Sequence, residues 1–152
     1  MSQSELPMGI PSVDLAHFLS GTTEQKLQFV KDLGKAYEEI GFVAVKNPLI
    51  SDETIQNLYR VVEEFYNLPL ETKLKYERLE LAGQRGYTGF GKEHAKDSNA
   101  GDLKEFWHVG RDLPAGHRFR DHMPDNIWPA ELPEFEAIFT AMYAAFDRAG
   151  NQ

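Results

Sequence analysis

The segment "LGKAYEEIGFVAVKN", residues 33–47, decides the fold because its pattern changes from helix to strand at Gly41. Upstream, Thr22 followed three residues later by Gln25 is a capping-box signature, and an apolar stripe continues at helical spacing. The stripe consists of Leu27, Val30, Leu33, Tyr37 and Ile40. Downstream, a continuous run of strand formers predicts a strand that is buried on both faces. A helix that leads directly into a strand indicates a mixed α+β protein in which sheet and helix pack together.

The segments on either side of residues 33–47 also show strand and helix patterns. "IPSVDL", residues 10–15, alternates apolar and polar positions after a proline and predicts a short edge strand. Ser51 predicts the N-cap of a second helix, which ends before Pro69. The apolar stripe of that helix is Ile55, Leu58, Val62 and Phe65. A short third helix is expected from Leu70 to about Leu79.

The second half of the chain divides into four segments. Residues 81–102 hold five glycines and predict a long loop, and residues 103–110, "LKEFWHVG", predict a strand. Residues 111–133 are rich in proline and charge and predict a surface excursion. Residues 134–150 predict an amphipathic helix. The length fits a single domain over residues 1–152.

Composition excludes several classes of protein. The net charge is −8, from 24 acidic and 16 basic residues, which disfavours binding to nucleic acid or to an anionic membrane. The chain has no cysteine, so disulfides, thiolate nucleophiles and sulfur-ligated zinc are excluded. The first residues lack a basic start followed by an apolar run, and no stretch approaches the length of a membrane span. We therefore expect a cytoplasmic location.

The histidines do not show the spacing of an iron oxygenase, in which a histidine and an acid two residues later often share a strand. None of the five has an acid at that position; they are His17, His94, His108, His117 and His122. A metal site from His117, His122 and Asp125 stays open as an alternative, although no regular element would hold the ligands. For His108, a place on the sheet face beside Phe106 is favoured over ligation.

Arg85 and Tyr87 are the candidate substrate-binding residues, because a guanidinium offers two donors to a carboxylate and a phenol adds a third. The alternative is an exposed arginine and a tyrosine that packs on a neighbouring sheet. The glycines around them, in "GYTGFG" at residues 86–91, match neither a nucleophile elbow nor a phosphate-binding loop.

Five segments together resemble the N-terminal region of the isopenicillin N synthase-like, non-haem Fe(II)/2-oxoglutarate-dependent oxygenases. They are "IPSVDLAHF", "LGKAYEEIGFVAVKNPLI", "NLPLETKLKY", "GQRGYTGFGKEHAKD" and "DLKEFWHVGRDLP", and they extend the resemblance from Ile10 to about Phe146. The resemblance implies the helix-and-strand portion that precedes a double-stranded β-helix, or jelly roll, with that catalytic core largely missing. One departure is Asn47-Pro48-Leu49, where many relatives read Asn-His-Gly.

The resemblance also implies a function. A full-length relative would use Fe(II) and 2-oxoglutarate to oxidise a small molecule, whereas this chain, as a truncated portion, is expected to be inactive and to bind neither cofactor alone. No catalytic residue or metal ligand is assigned, and the family's substrate-facing arginine and tyrosine correspond to Arg85 and Tyr87. The alternative is a non-catalytic interaction or dimerisation module, which would form a homo-oligomer through unpaired strand edges or apolar helix faces.

Overall fold

The computed structural model describes residues 9–93 and 101–152. Our reading of residues 1–8 and of His94 therefore concerns residues outside the described ranges. The chain forms two compact units: unit 1 holds the residues up to Ser51 together with Ala144–Gln152, and unit 2 holds Asp52–Tyr143. That residues 1–152 form a single domain stays a prediction.

Four short strands and five α-helices follow one another within the described ranges. The strands are β1 (Ser12–Asp14), β2 (Ala44–Lys46), β3 (Gly86–Thr88) and β4 (Phe106–His108). The helices are α1 (Leu15–Ser20), α2 (Thr23–Glu39), α3 (Asp52–Tyr66), α4 (Leu70–Leu74) and α5 (Phe135–Gly150). Two 3₁₀ turns cover Leu79–Leu81 and Arg120–His122. None of the helices in these ranges is long and apolar enough to cross a bilayer.

Unit 1 confirms the predicted strand, helix and strand of the N-terminal third. β1 and β2 pair in parallel, with Val13 opposite Val45. The capping box of α2 is formed: the Gln25 N–H donates to Thr22 Oγ1 at 3.3 Å, and the Thr22 N–H donates to Gln25 Oε1 at 2.8 Å. The start of α2 is therefore fixed by two reciprocal hydrogen bonds.

The predicted burial of β2 on both faces is wrong. All three of its residues are exposed, and Val45 retains 43% of its accessible surface. The cause is that β1 is the only partner of β2 among the described strands, so the sheet has two strands. Much of the apolar stripe of α2 is exposed as well, and the fully buried residue of that helix is Ala36. A run of apolar residues thus indicates that a segment can be buried, but it does not identify the residues that cover it.

The turn after β2 is held by two residues with left-handed backbone conformation. Asn47 has φ +51° and Leu49 has φ +61°, on either side of Pro48. The Asn47 side-chain amide donates to both carboxylate oxygens of Asp14, at 2.9 Å each, and this hydrogen bond lowers the pKa of Asp14. Asp14 also accepts the Ala16 N–H and so caps α1. Leucine at position 49 therefore adopts a conformation that suits glycine.

We expect the free energy of unfolding of Leu49→Gly to exceed that of Leu49→Ala by about 1 kcal/mol. A residue with a Cβ loses about 1–2 kcal/mol in the left-handed region, and the greater freedom of glycine in the unfolded chain offsets part of the gain. Leu49 is 51% exposed, and both substitutions remove its half-buried side chain, so the difference between them reports the backbone effect. Urea denaturation followed by circular dichroism measures the change. Leu49→Ala keeps the strain and is the control; equal stability of the glycine and alanine variants would contradict the explanation.

In unit 2 two predictions need correction. α4 ends at Leu74 instead of about Leu79. After Leu74 the backbone N–H groups bond to carbonyls three residues earlier instead of four, and the Tyr76 side chain lies in the core. The predicted loop over residues 81–102 contains β3, which pairs antiparallel with β4 and places Tyr87 opposite Trp107. Three residues beside several glycines are too short a run to show strand periodicity, and the partner strand lies about 20 residues downstream.

An aromatic core stabilises unit 2. Its buried members are Val61, Phe65, Tyr76, Tyr87 and Phe135. Ile127, Trp128 and Leu132 pack against it, so the segment predicted as a surface excursion contributes to the interior. α5 begins at the core residue Phe135, as its predicted apolar face required, although Phe146 on that face is 61% exposed.

Candidate functional site

Arg85 and Tyr87 are both buried, with 9% and 1% of their surface exposed, so the alternative of an exposed arginine is wrong. The tyrosine of that alternative does pack against a neighbouring strand, since Tyr87 lies in the core opposite Trp107. The Arg85 guanidinium lies directly against the backbone of Gly110, where a Cβ would come within 2.0 Å of Arg85 Cζ. Arg85 Nη1 donates to the Gln84 carbonyl at 2.6 Å. Arg85 Nε is buried and has no hydrogen-bond partner among the described residues. A buried guanidinium with an unpaired donor is unusual, since buried polar groups are nearly always hydrogen-bonded.

The Tyr87 hydroxyl is oriented by the carboxylate of Glu105, the residue that precedes β4. It donates to Glu105 Oε2 at 2.5 Å, and its ring packs 5.9 Å from that of Phe65. Burial, followed by the hydrogen bond to Glu105, raises the pKa of Tyr87 above its ordinary value. The phenol therefore stays protonated at neutral pH and is oriented as a donor toward Glu105.

A buried ion pair completes this arrangement, which we call the Lys73–Glu105 network (Tyr66, Lys73, Tyr87 and Glu105). Lys73 Nζ lies 2.9 and 3.1 Å from the two oxygens of Glu105 and 3.1 Å from the Tyr66 carbonyl oxygen. The side chains of Lys73 and Glu105 are only 9% and 15% exposed. Burial, with a smaller contribution from the Glu105 charge, raises the pKa of Tyr66 to about 12. Sequence reasoning missed this network, because a lysine and a glutamate 32 positions apart give no local signal.

A cavity of about 290 Å³ lies on the same part of unit 2, and we call it the Tyr87 cavity. The residues that line it come from the turn after α4, from β3 and from the segment that follows β3. They are Glu77, Arg78, Leu79, Ala82, Gly83, Tyr87, Thr88, Lys92 and Glu93. Thr88 is 6% exposed, and neither Thr88 Oγ1 nor Glu77 Oε1 has a hydrogen-bond partner among the described residues. Of the two predicted substrate residues, Tyr87 lines the cavity and Arg85 does not.

The hypothesis of a metal site at His117, His122 and Asp125 is wrong. Within the described residues, no three histidine, aspartate or glutamate side chains are placed to hold a metal. Asp125 pairs with Arg120 at 2.5 Å, and His117 Nδ1 accepts the Phe119 N–H at 3.2 Å. The described residues therefore offer no set of ligands that fits Fe(II), and we assign no reaction step to them.

His108 occupies the sheet-face position that its alternation predicted. Its ring lies 4.7 Å from the ring of Phe106, two residues earlier on the same face of β4. Its Nδ1 lies 2.6 Å from the carbonyl oxygen of Gly83, which is in the turn before β3. The side chain thus ties the strand to the glycine turn that borders the Tyr87 cavity.

Comparison with known proteins identifies the family. A family model described as "non-haem dioxygenase in morphine synthesis N-terminal" matches residues 10–131. The chain belongs to this family. The resemblance inferred from the sequence is thereby confirmed.

Curated relatives of this dioxygenase N-terminal region carry concordant names. A 2-oxoglutarate-dependent dioxygenase frbA of Dothideomycetidae sp. is 32% identical over 87% of this chain and 42% of its own length. A 2-oxoglutarate-dependent dioxygenase imqE of Aspergillus flavus is 32% identical over 93% of this chain and 45% of its own length. The chain therefore spans less than half the length of these relatives.

Solved structures agree with this assignment. A Caulobacter crescentus protein assigned to the 2OG-Fe(II) oxygenase family superposes with a TM-score of 0.79 at 39% identity, over 93% of this chain and 45% of that one. A full-length Neurospora crassa protein, solved in complex with alpha-KG, gives a TM-score of 0.72 at 26% identity, over 90% of this chain and 42% of that one. The mixed helix-and-strand architecture is thus that of the matching part of Fe(II)/2-oxoglutarate oxygenases.

Proposed function

We propose that this chain is the N-terminal portion of an Fe(II)/2-oxoglutarate-dependent dioxygenase that oxidises a small molecule, and that it is inactive by itself. The family match over residues 10–131 carries the proposal. It is supported by relatives named 2-oxoglutarate-dependent dioxygenases, of whose length the chain covers 42–45%. In this proposal a cytoplasmic jelly-roll core, outside these residues, holds Fe(II) and 2-oxoglutarate.

The contribution of this chain would be to bind and orient the substrate through Arg85 and Tyr87. Tyr87 lines the cavity described above, and Arg85 Nε is buried without a partner among the described residues. The Arg85 guanidinium forms no ion pair with a carboxylate of the described residues, and a guanidinium of this kind suits an acidic group. The Lys73–Glu105 network fixes the Tyr87 hydroxyl, whose proton is donated to Glu105, so the phenol oxygen would serve a substrate as an acceptor.

A chimera tests the proposal. The chain replaces the matching 45% of the Caulobacter crescentus protein, and Fe(II)-dependent consumption of 2-oxoglutarate is measured for the chimera and for the chain alone. We expect consumption by the chimera and none by the chain. Circular dichroism and Fe(II) binding of the chimera show that it is folded and loaded. A folded, loaded chimera without turnover would overturn the dioxygenase role, and turnover by the chain alone would overturn its inactivity.

A second candidate, a homo-oligomer formed through an apolar helix face, is favoured by one observation. Leu27, Val30 and Tyr37 on α2 are 67%, 54% and 58% exposed. A second copy of the chain could cover this face by the same residues in a two-fold arrangement. Sedimentation velocity on the wild type and on Val30→Glu tests it: a dimer that the glutamate dissociates would support it, and a monomer at all concentrations would refute it.

A further inference from the structure

We propose that Asn126 is a positioning residue, which sets the place of the Arg85 guanidinium through the backbone of Gly110. The role of Arg85 as a substrate-binding residue comes from the proposed function, on which this inference rests. Gly110 ends the segment "LKEFWHVG" and lies two residues beyond β4. Asn126 follows it 16 positions later, in the segment that contributes to the core of unit 2.

The first observation is the close approach of Arg85 to Gly110. A Cβ at position 110 would lie 2.0 Å from both Cζ and Nη2 of Arg85 and 2.5 Å from its Nη1. The backbone of Gly110 does not have a positive φ, so the position requires glycine for space and not for conformation. Any side chain larger than hydrogen at position 110 would therefore displace the guanidinium.

Few other contacts fix this guanidinium. Arg85 Nη1 donates to the carbonyl of Gln84, the preceding residue, at 2.6 Å. Arg85 Nε has no hydrogen-bond partner, and none of the carboxylates in the described ranges pairs with Arg85. A single bond to the adjacent residue leaves a long side chain free to change rotamer. The backbone of Gly110 therefore decides where the group lies.

The side-chain amide of Asn126 holds Gly110 by two reciprocal hydrogen bonds. The Gly110 N–H donates to Asn126 Oδ1 at 2.8 Å, and Asn126 Nδ2 donates to the Gly110 carbonyl at 2.9 Å. Asn126 Nδ2 also donates to Asp112 Oδ1 at 2.8 Å. Because Gly110 offers one donor and one acceptor, the amide can satisfy both in only one orientation. Beyond the end of β4, the asparagine thus takes the place of a strand partner.

Asn126 is itself held by the core of unit 2. Ile127, the next residue, packs against the aromatic core. Its side chain also approaches β3, since a Cβ at Gly86 would lie 3.1 Å from Ile127 Cδ1. Two consecutive residues therefore contact the chain on both sides of Arg85: one meets the residue that follows it, and the other holds the glycine against its guanidinium.

Modification by phenylglyoxal, a reagent for accessible guanidinium groups, tests the proposal on the chain itself. Cleavage after glutamate yields residues 81–93 and 137–152, which contain Arg85 and the exposed Arg148 as their only arginines. Mass spectrometry then gives both rates, with Arg148 as the internal reference. We expect Asn126→Ala to raise the rate at Arg85 at least about tenfold, the equivalent of about 1.4 kcal/mol and within the range for two lost hydrogen bonds. The rate at Arg148 should not change.

Two comparisons show whether the effect depends on Gly110. Gly110→Ala displaces the guanidinium directly and should also raise the rate at Arg85 at least about tenfold. The double variant should react within about twofold of the faster single variant, because both substitutions act on one contact. Asp112→Ala removes the third bond of Asn126 and leaves the two bonds to Gly110 in place. It is the matched control and should react within about twofold of the wild type.

Circular dichroism reports whether each variant is folded. Asn126→Asp keeps the acceptor for the Gly110 N–H and replaces the alanine variant if that variant does not fold; it should raise the rate at Arg85 at least about threefold. An unchanged rate in a folded Asn126 variant, an equal rise at Arg148, or multiplied effects in the double variant would overturn the positioning role. A chimera without turnover would instead overturn the proposed function alone, because the modification rates require no catalysis.

Discussion

Replacing Lys73 with methionine is expected to lower the free energy of unfolding by about 3–5 kcal/mol, the usual result of removing one partner of a buried ion pair. Methionine fills a similar volume, so packing changes little. The loss arises because Glu105, whose side chain is 15% exposed, is left charged without the ammonium that lies 2.9 Å away. The Tyr66 carbonyl loses its partner at 3.1 Å as well. Urea denaturation followed by tryptophan fluorescence measures the change, because Trp107 is in contact with the core.

The double variant Lys73→Met/Glu105→Gln distinguishes this explanation from a general loss of packing. Glutamine keeps an acceptor for the Tyr87 hydroxyl while removing the uncompensated charge. We expect the double variant to recover at least about 2 kcal/mol of the loss, as the coupling of a buried pair requires. Lys75→Met, at a side chain that is 61% exposed, is the control and should change stability by less than about 0.5 kcal/mol. A loss of stability in the double variant equal to the sum of the losses in Lys73→Met and Glu105→Gln would contradict a coupled pair.

Local signals in the sequence predicted those elements whose stabilising contacts are also local. The capping box at Thr22 and Gln25 joins residues three apart, and Pro69 ends α3 through its own ring. β3 is different: Tyr87 is paired with Trp107, 20 positions away, and the glycines around it predict a loop. The burial of β2 was overestimated for the same reason, since a pattern cannot specify which partners are present.

The candidate site was predicted only in part. Arg85 and Tyr87 were found because a guanidinium and a phenol stand together in a glycine-rich segment. The burial of Arg85 and the missing partner of its Nε were not predicted, because they depend on how Gly110 and its neighbours lie against the guanidinium. Properties of this kind depend on the three-dimensional neighbours of a group, and no spacing rule reports them.

Phe65→Ala is expected to cost about 3–5 kcal/mol, the usual range for truncating a buried phenylalanine. Phe65 has no exposed surface, and its ring centroid lies 4.7 Å from that of Trp107 and 5.6 Å from that of Phe135. The rings of Tyr66, Tyr76 and Tyr87 surround it at 5.6–6.3 Å. These rings come from separate segments of unit 2 and cannot all move inward, so a cavity remains. Thermal and urea unfolding measure the loss.

Two further variants separate the cavity from other effects of the substitution. Tyr59→Ala removes another aromatic ring from α3, but one that is 71% exposed, and should change stability by less than about 0.5 kcal/mol. Phe65→Leu keeps most of the volume and should cost less than about 1.5 kcal/mol. A loss of stability in Phe65→Leu as large as that in Phe65→Ala would show that ring contacts such as the one between Phe65 and Tyr87, and not filled volume, stabilise this core.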